Sequence, residues 1–185
     1  QSIHGQMPYT FEEAEPESIE SFRKALFGEH IEYNTPGLPS ESSINSNTIS
    51  NRVGEAKGIL IGGNLTLLTM LQGSVSEMDY TDKILFIEDV GERPSSIDRM
   101  MRMLKRSGKL AKLKGLIVGA FNELPDEKIP FGKSPEEIII KVVKDYKYPV
   151  CFGFPTGHID DNRAMIVGRE FDLIVEGDST VGKFV

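Results

Sequence analysis

Of the three histidines in this chain, His158 alone stands where a side chain could be delivered into a cleft. It follows the apolar run PVCFGFP and a turn made by Pro155, Thr156 and Gly157, and two carboxylates, Asp160 and Asp161, come soon after. His4 and His30 lie in segments that read as linker or surface. The matching acid would come from the end of a second apolar run, KILFIED, at Glu88 or Asp89. An acid and a histidine on separate strand ends form two-thirds of a nucleophilic triad, because the carboxylate holds the imidazole tautomer and stabilises its protonated form. The missing third is the nucleophile. A reactive serine needs a strained, exposed turn such as G-x-S-x-G, and the nearest approach, Gly73-Ser74-Val75-Ser76-Glu77, lacks the last glycine. Ser95 and Ser96 read as helix-start residues.

These residues need a scaffold, and the pattern after Val53 supplies one. GILIGG reads as a strand entering a glycine turn, after which Asn64 caps a helix, LTLLTMLQ, that Gly73 ends. KILFIEDV is the next strand. A helix from Pro94 to Ser107 comes after it, with Ser95 and Asp98 at capping-box spacing and Ile97, Met100, Met101 and Leu104 on one face. GLIVGAF is a third strand. Ser134, Pro135 and Glu137 open a helix whose buried stripe is Ile138, Ile139, Val142 and Val143. PVCFGFP is a fourth strand, and EFDLIVEG alternates as a half-exposed antiparallel strand would. Apolar strands separated by amphipathic helices predict an α/β fold with a central parallel sheet, flanking helices and added antiparallel strands. Ligands in such sheets bind beyond the carboxyl ends of the strands, which selects three exits: residues 62–64, 87–92 and 155–158.

The first fifty-odd residues read differently. One helix is convincing, ESIESFRKALFG from Glu17 to Gly28, with Gly28 closing it in a left-handed conformation. The stretch NTPGLPSESSINSNT is polar and turn-rich and suits a linker or irregular hairpin. We therefore place a boundary near residue 52, with an interdomain connection and irregular segment over residues 1–52 and the regular domain over residues 53–185.

A chain of 185 residues is long enough for one ordinary domain. Its net charge of −7 argues against a non-specific grip on nucleic acid or an anionic membrane, both of which need basic excess. The single cysteine, Cys151, reads as a small hydrophobe in a buried strand. No apolar run approaches membrane-span length. The chain begins with Gln, as a processed or truncated piece would.

GGNLTLLTMLQGS, LFIEDVGERPSSIDRMMRMLKRSG, KLKGLIVGAF and FGFPTGH, with Asn162 and Gly168 beyond them, resemble the C-terminal half of the LD-carboxypeptidase family of serine peptidases, which includes the microcin C immunity peptidases. The likeness runs in order from about Val53 to Val175, and SIHGQMP is similar to the family's interdomain connection. The resemblance implies a swivelling β/β/α architecture, a nucleophilic serine on an N-terminal domain upstream of Gln1, a catalytic acid at Glu88 and a catalytic base at His158. It also implies a cytoplasmic enzyme acting on a peptide bond next to a D-amino acid, commonly a homodimer, with no metal or organic cofactor. Without it, alternation along KILFIED cannot choose between Glu88 and Asp89, because both strand faces are apolar. The chain departs from the family pattern at Met165-Ile166-Val167 and at Ser96, which bears on the substrate pocket more than on the mechanism.

Asn64 is first of all a helix cap, and a helix start could also face a substrate carboxylate. Arg93 and Arg99 read as surface or helix-pairing residues. His158, Asp160 and Asp161 could suggest a metal site, but no second histidine stands at ligand spacing. A Thr-Gly-His turn also fits a phosphohistidine carrier or a binding module, although Asp160 and Asp161 would repel the phosphate.

Overall fold

The computed structural model describes residues 1–36, 50–125, 128–177 and 179–185. Among the described residues, seven strands make one mixed sheet in the order β2-β9-β8-β3-β4-β5-β6, and β1 and β7 pair separately. The strands are β1 (Ser2–His4), β2 (Glu32–Pro36), β3 (Gly54–Asn64), β4 (Ile84–Val90), β5 (Gly115–Asn122), β6 (Val150–Cys151), β7 (Met165–Val167), β8 (Glu170–Val175) and β9 (Ser179–Phe184). The helices are α1 (Pro16–Phe27), α2 (Leu65–Met70), α3 (Pro94–Arg106) and α4 (Pro135–Val142).

The parallel run β3-β4-β5-β6 is the part expected from apolar strands and crossover helices. β3 is long because it serves two neighbours. Gly54 to Ile59 pair antiparallel with β8, and Leu60 to Asn64 pair parallel with β4. One apolar cluster, including Leu85, Ile87, Ile97, Met101, Leu116 and Ile139, fills the space under α2, α3 and α4. The opposite cluster contains Leu60, Ile84, Phe86, Ile117, Cys151 and Phe171. Successive residues of β4 therefore feed opposite cores, as strand alternation requires.

Several expectations meet the structure directly. Gly28 closes α1 with φ of 69°, Asn64 caps α2, and Ser134 with Glu137 forms the capping box of α4. Three others are corrected. α3 is entered through Arg93 and Pro94 without a side-chain cap bond, so Ser95 and Asp98 lie inside the helix, where Asp98 pairs with Arg102. PVCFGFP keeps a strand ladder for only two residues, because Gly153 turns the backbone to φ of 69° and Phe152 N–H is taken by Asn51 Oδ1. The amino-terminal stretch is more than a connection: β2 borders the sheet by pairing with β9, and Ile31 and Tyr33 are buried in its core. Of the predicted linker NTPGLPSESSINSNT, residues 37–48 lie outside the described residues. No described helix is long and apolar enough to cross a membrane.

Candidate active site

Glu88 is the third residue from the end of β4, on the face that carries Ile84 and Phe86, and it is fully buried. His158 lies in residues 152–164, outside helix and strand, and meets the carboxyl-end residues Glu88 of β4 and Asn122 of β5. Its Nδ1 is 2.8 Å from Glu88 Oε2. Gly157 makes this approach possible: its φ of 117° disfavours other residues, and a Cβ there would lie 3.0 Å from the Glu88 Cβ.

Burial of the Glu88 carboxyl pushes its pKa above the ordinary value, while the hydrogen bond and charge of His158 pull it back. When Glu88 is ionised both its oxygens are acceptors, so Nδ1 of His158 carries the proton and Nε2 is left as the basic nitrogen. The His158 side chain is 53% exposed and Glu88 is 0% exposed, so the imidazole reaches a cleft and the carboxyl behind it does not. Glu88 Oε1 is buried and takes no hydrogen bond among the described residues.

The cleft, about 580 Å³, is lined by His4, Met7, Glu13, Glu123, His158 and Asp160 among others. His4 corrects the sequence reading, which put it in linker or surface. The pairing of β1 with β7 carries its ring to 5.1 Å from the Phe86 ring, edge to face, and its Nε2 is buried without a partner among the described residues. Burial lowers its pKa first, and the charge of His158 adds to that. The alternation in SIH, with Ile3 packing against the core, is the signal that could have placed it on a strand. His30 is exposed near Glu32.

Asp89 points away from His158. Its Oδ1 accepts from Asn64 Nδ2 (2.7 Å) and Val90 N–H (3.0 Å), and its Oδ2 accepts from Thr66 N–H (3.0 Å) and Thr66 Oγ1 (2.9 Å). Asn64 Oδ1 in turn accepts from Leu67 N–H at 3.1 Å. The Asn64 amide is thus occupied at both ends within the protein, and an internal carboxylate already sits at the start of α2. Arg99 donates to Ser96 Oγ, a local helix contact.

None of the described residues lining the cleft is a serine. Thr10 lines it, but its hydroxyl donates to Met7 O and accepts from Gln6 Nε2. Among the described residues no group of three or more His, Cys, Asp or Glu is arranged to hold a metal. A phosphoryl group on His158 would face Asp160 across the same cleft, with Glu88 behind the ring, a repulsive setting for a phosphate. The geometry offers an oriented base facing a cleft, able to accept a proton from a hydroxyl and pass it to a leaving group.

Comparison with known proteins places the chain in a family. The chain is 38% identical over 117 residues to a probable murein peptide carboxypeptidase of Bacillus subtilis (strain 168), covering 63% of this chain and 37% of that protein. It is 30% identical over 123 residues to the murein tetrapeptide carboxypeptidase of Pseudomonas aeruginosa, covering 66% and 39%. The crystal structure of muramoyltetrapeptide carboxypeptidase from Oxalobacter formigenes superimposes with a TM-score of 0.83 at 25% identity, over 99% of this chain and 61% of that one. The chain thus spans about two-fifths of the length of these curated relatives. The sequence model of the LD-carboxypeptidase C-terminal domain matches residues 57–173, and the chain belongs to that family.

Proposed function

We propose that this chain supplies the acid and the base of a serine-type carboxypeptidase whose nucleophilic serine lies on an N-terminal domain upstream of Gln1. The observation that carries this reading is the 2.8 Å contact between buried Glu88 and half-exposed His158, which presents the imidazole, backed by the carboxylate, to the cleft. His158 Nε2 takes the serine proton as the hydroxyl attacks the scissile carbonyl and returns it to the leaving amine, while Glu88 holds the ring and stabilises the imidazolium. Donors to the developing oxyanion come from the upstream domain. Asn64 braces Asp89 and caps α2 through its amide, and we keep it as a candidate contact to a substrate carboxylate at the start of that helix.

The names of the relatives support a murein tetrapeptide-type substrate, and we extend the reading to cleavage next to a D-amino acid. The family membership supports the upstream domain as a partner, and we extend the reading to a cytoplasmic homodimer.

The test is hydrolysis of a tetrapeptide ending in D-alanine. The full-length protein should release D-alanine, and the 185-residue chain should not, since a base without a nucleophile has nothing to deprotonate. Turnover by the chain alone, surviving inhibition of contaminating serine proteases, would overturn the proposal, as would undiminished turnover by full-length His158→Gln.

A further inference from the structure

We propose that Asn122 is a positioning residue for His158: its side-chain amide grips the His158 carbonyl while its own carbonyl is bonded to the exit of the Glu88 strand. The inference rests on the reading of Glu88 and His158 as an acid–base pair.

His158 has no regular element of its own. Residues 152–164 carry no helix or strand, so the ring position depends on point contacts to neighbouring elements. On the outer side, Glu15 N–H and Ser18 Oγ at the start of α1 donate to the Asp160 carbonyl. On the sheet side the contacts come from an irregularity in β5. Ile87 of β4 pairs with Val118, but Asp89 pairs with Phe121, so β5 carries an extra residue opposite Glu88. Such a bulge releases backbone groups from the ladder and re-aims the side chains beyond it. Here Ala120 N–H donates to the Thr156 carbonyl at 2.9 Å. Gly119 lets Thr156 come close, since a Cβ there would stand 2.4 Å from that carbonyl oxygen.

Two residues past the bulge, Asn122 completes the attachment. Its Nδ2 donates to the His158 carbonyl at 2.6 Å, and its carbonyl accepts from Gly91 N–H at 3.1 Å, three residues after Glu88. One residue therefore ties the backbone of the base to the strand of the acid. The amide orientation is determined by this contact, because a flip would set Oδ1 against another acceptor. Removing the donor frees the His158 carbonyl itself, leaving the backbone held only at Thr156 and Asp160 on either side and the ring by Glu88, and misplacement of a catalytic group by a fraction of an ångström is costly.

The test uses the full-length protein with 15N-labelled histidine, carrying Asn122→Ala or the isosteric Asn122→Asp, which removes the donor. The ring-nitrogen shifts of His158, assigned by their loss in His158→Gln, report its tautomer. We expect one Nδ1-protonated tautomer in the parent and a mixture in both variants, with kcat lowered about ten-fold and KM within about two-fold. If the parent does not hydrolyse D-terminal peptides, the catalytic reading fails while the tautomer still decides the role of Asn122. Retention of the parent tautomer in a folded variant overturns the proposal. Should Asn122→Asp not fold, Asn122→Ala, which adds no charge, decides it.

Discussion

The exit of β4 and residues 152–164 bring their two functional groups to one contact by opposite means. Glu88 sits on a strand flanked by β3 and β5, paired with Asn64 on one side and opposite the bulge on the other, fully buried, with Asp89 clamped behind it by four donors. His158 is half exposed on a stretch without repeating hydrogen bonds, anchored at separate points by β5 and α1. The acid is thus fixed by burial, which raises its pKa and leaves one oxygen unpartnered, and the base is fixed by attachment, which leaves its free nitrogen accessible. Substitutions on the β4 side should accordingly separate chemistry from stability by strand face.

The largest effect is expected at Glu88. On the proposed function, Glu88→Gln in the full-length protein should lower kcat by at least about a hundred-fold, because an amide neither fixes the tautomer nor stabilises an imidazolium. Stability should respond in the other direction. A carboxyl whose folded pKa lies above its ordinary 4.5 contributes stability that is present below that value and lost as pH rises through the folded pKa. Urea unfolding should therefore show Glu88→Gln gaining on the parent as pH rises from 4.5.

On the opposite face, Asp89→Asn should leave kcat within about ten-fold while costing about 1–3 kcal/mol of unfolding free energy, since an amide NH₂ meets donors where a carboxylate met them as an acceptor. Were Asp89→Asn the more damaging to kcat at equal folded fraction, the contrast between the two faces would collapse and Glu88 would not be the orienting acid.

The smallest effect belongs to His4. Its folded pKa is held below the ordinary 6.5 by burial and by His158, so its contribution is present above 6.5 and lost as pH falls through the folded value. The groups facing the same cleft are Glu13, Glu123, His158 and Asp160. His4→Phe, which keeps a ring against Phe86, should flatten the acid limb of stability by less than about 1.4 kcal/mol per pH unit. An unchanged limb in urea unfolding between pH 4 and 7 would show that His4 does not titrate differently on folding.

Local signals carried much of this molecule. The caps at Asn64 and Ser134, the glycine at 28 and the apolar runs of β4 and β5 each act within one element, and each is where the sequence puts it. The illegible parts depend on partners far along the chain. PVCFGFP reads as a strand because it is apolar, yet Phe152 and Phe154 are buried by neighbouring segments after the ladder has ended. β2 is too short and polar to stand out, and only its pairing with β9 makes Tyr33 a core residue. Alternation left Glu88 and Asp89 equivalent, and a resemblance selected Glu88 as the acid. The distances then separated their surroundings, with His158 beside Glu88 and Asn64, Thr66 and Val90 around Asp89. The bulge in β5 has no signature beyond a glycine, because the group it accommodates, the Thr156 carbonyl, comes from a distant segment.

Cys151 gives this architecture a built-in clock. It is the chain's single cysteine, fully buried on β6, where the polypeptide leaves the sheet for His158, and burial pushes its thiol up to about 12. Only a thiolate reached by solvent reacts with an alkylating reagent, so labelling must wait for that edge of the sheet to open. The rate of modification under native conditions counts those openings, and so measures how firmly the sheet holds the segment that carries the base, without any substrate being turned over.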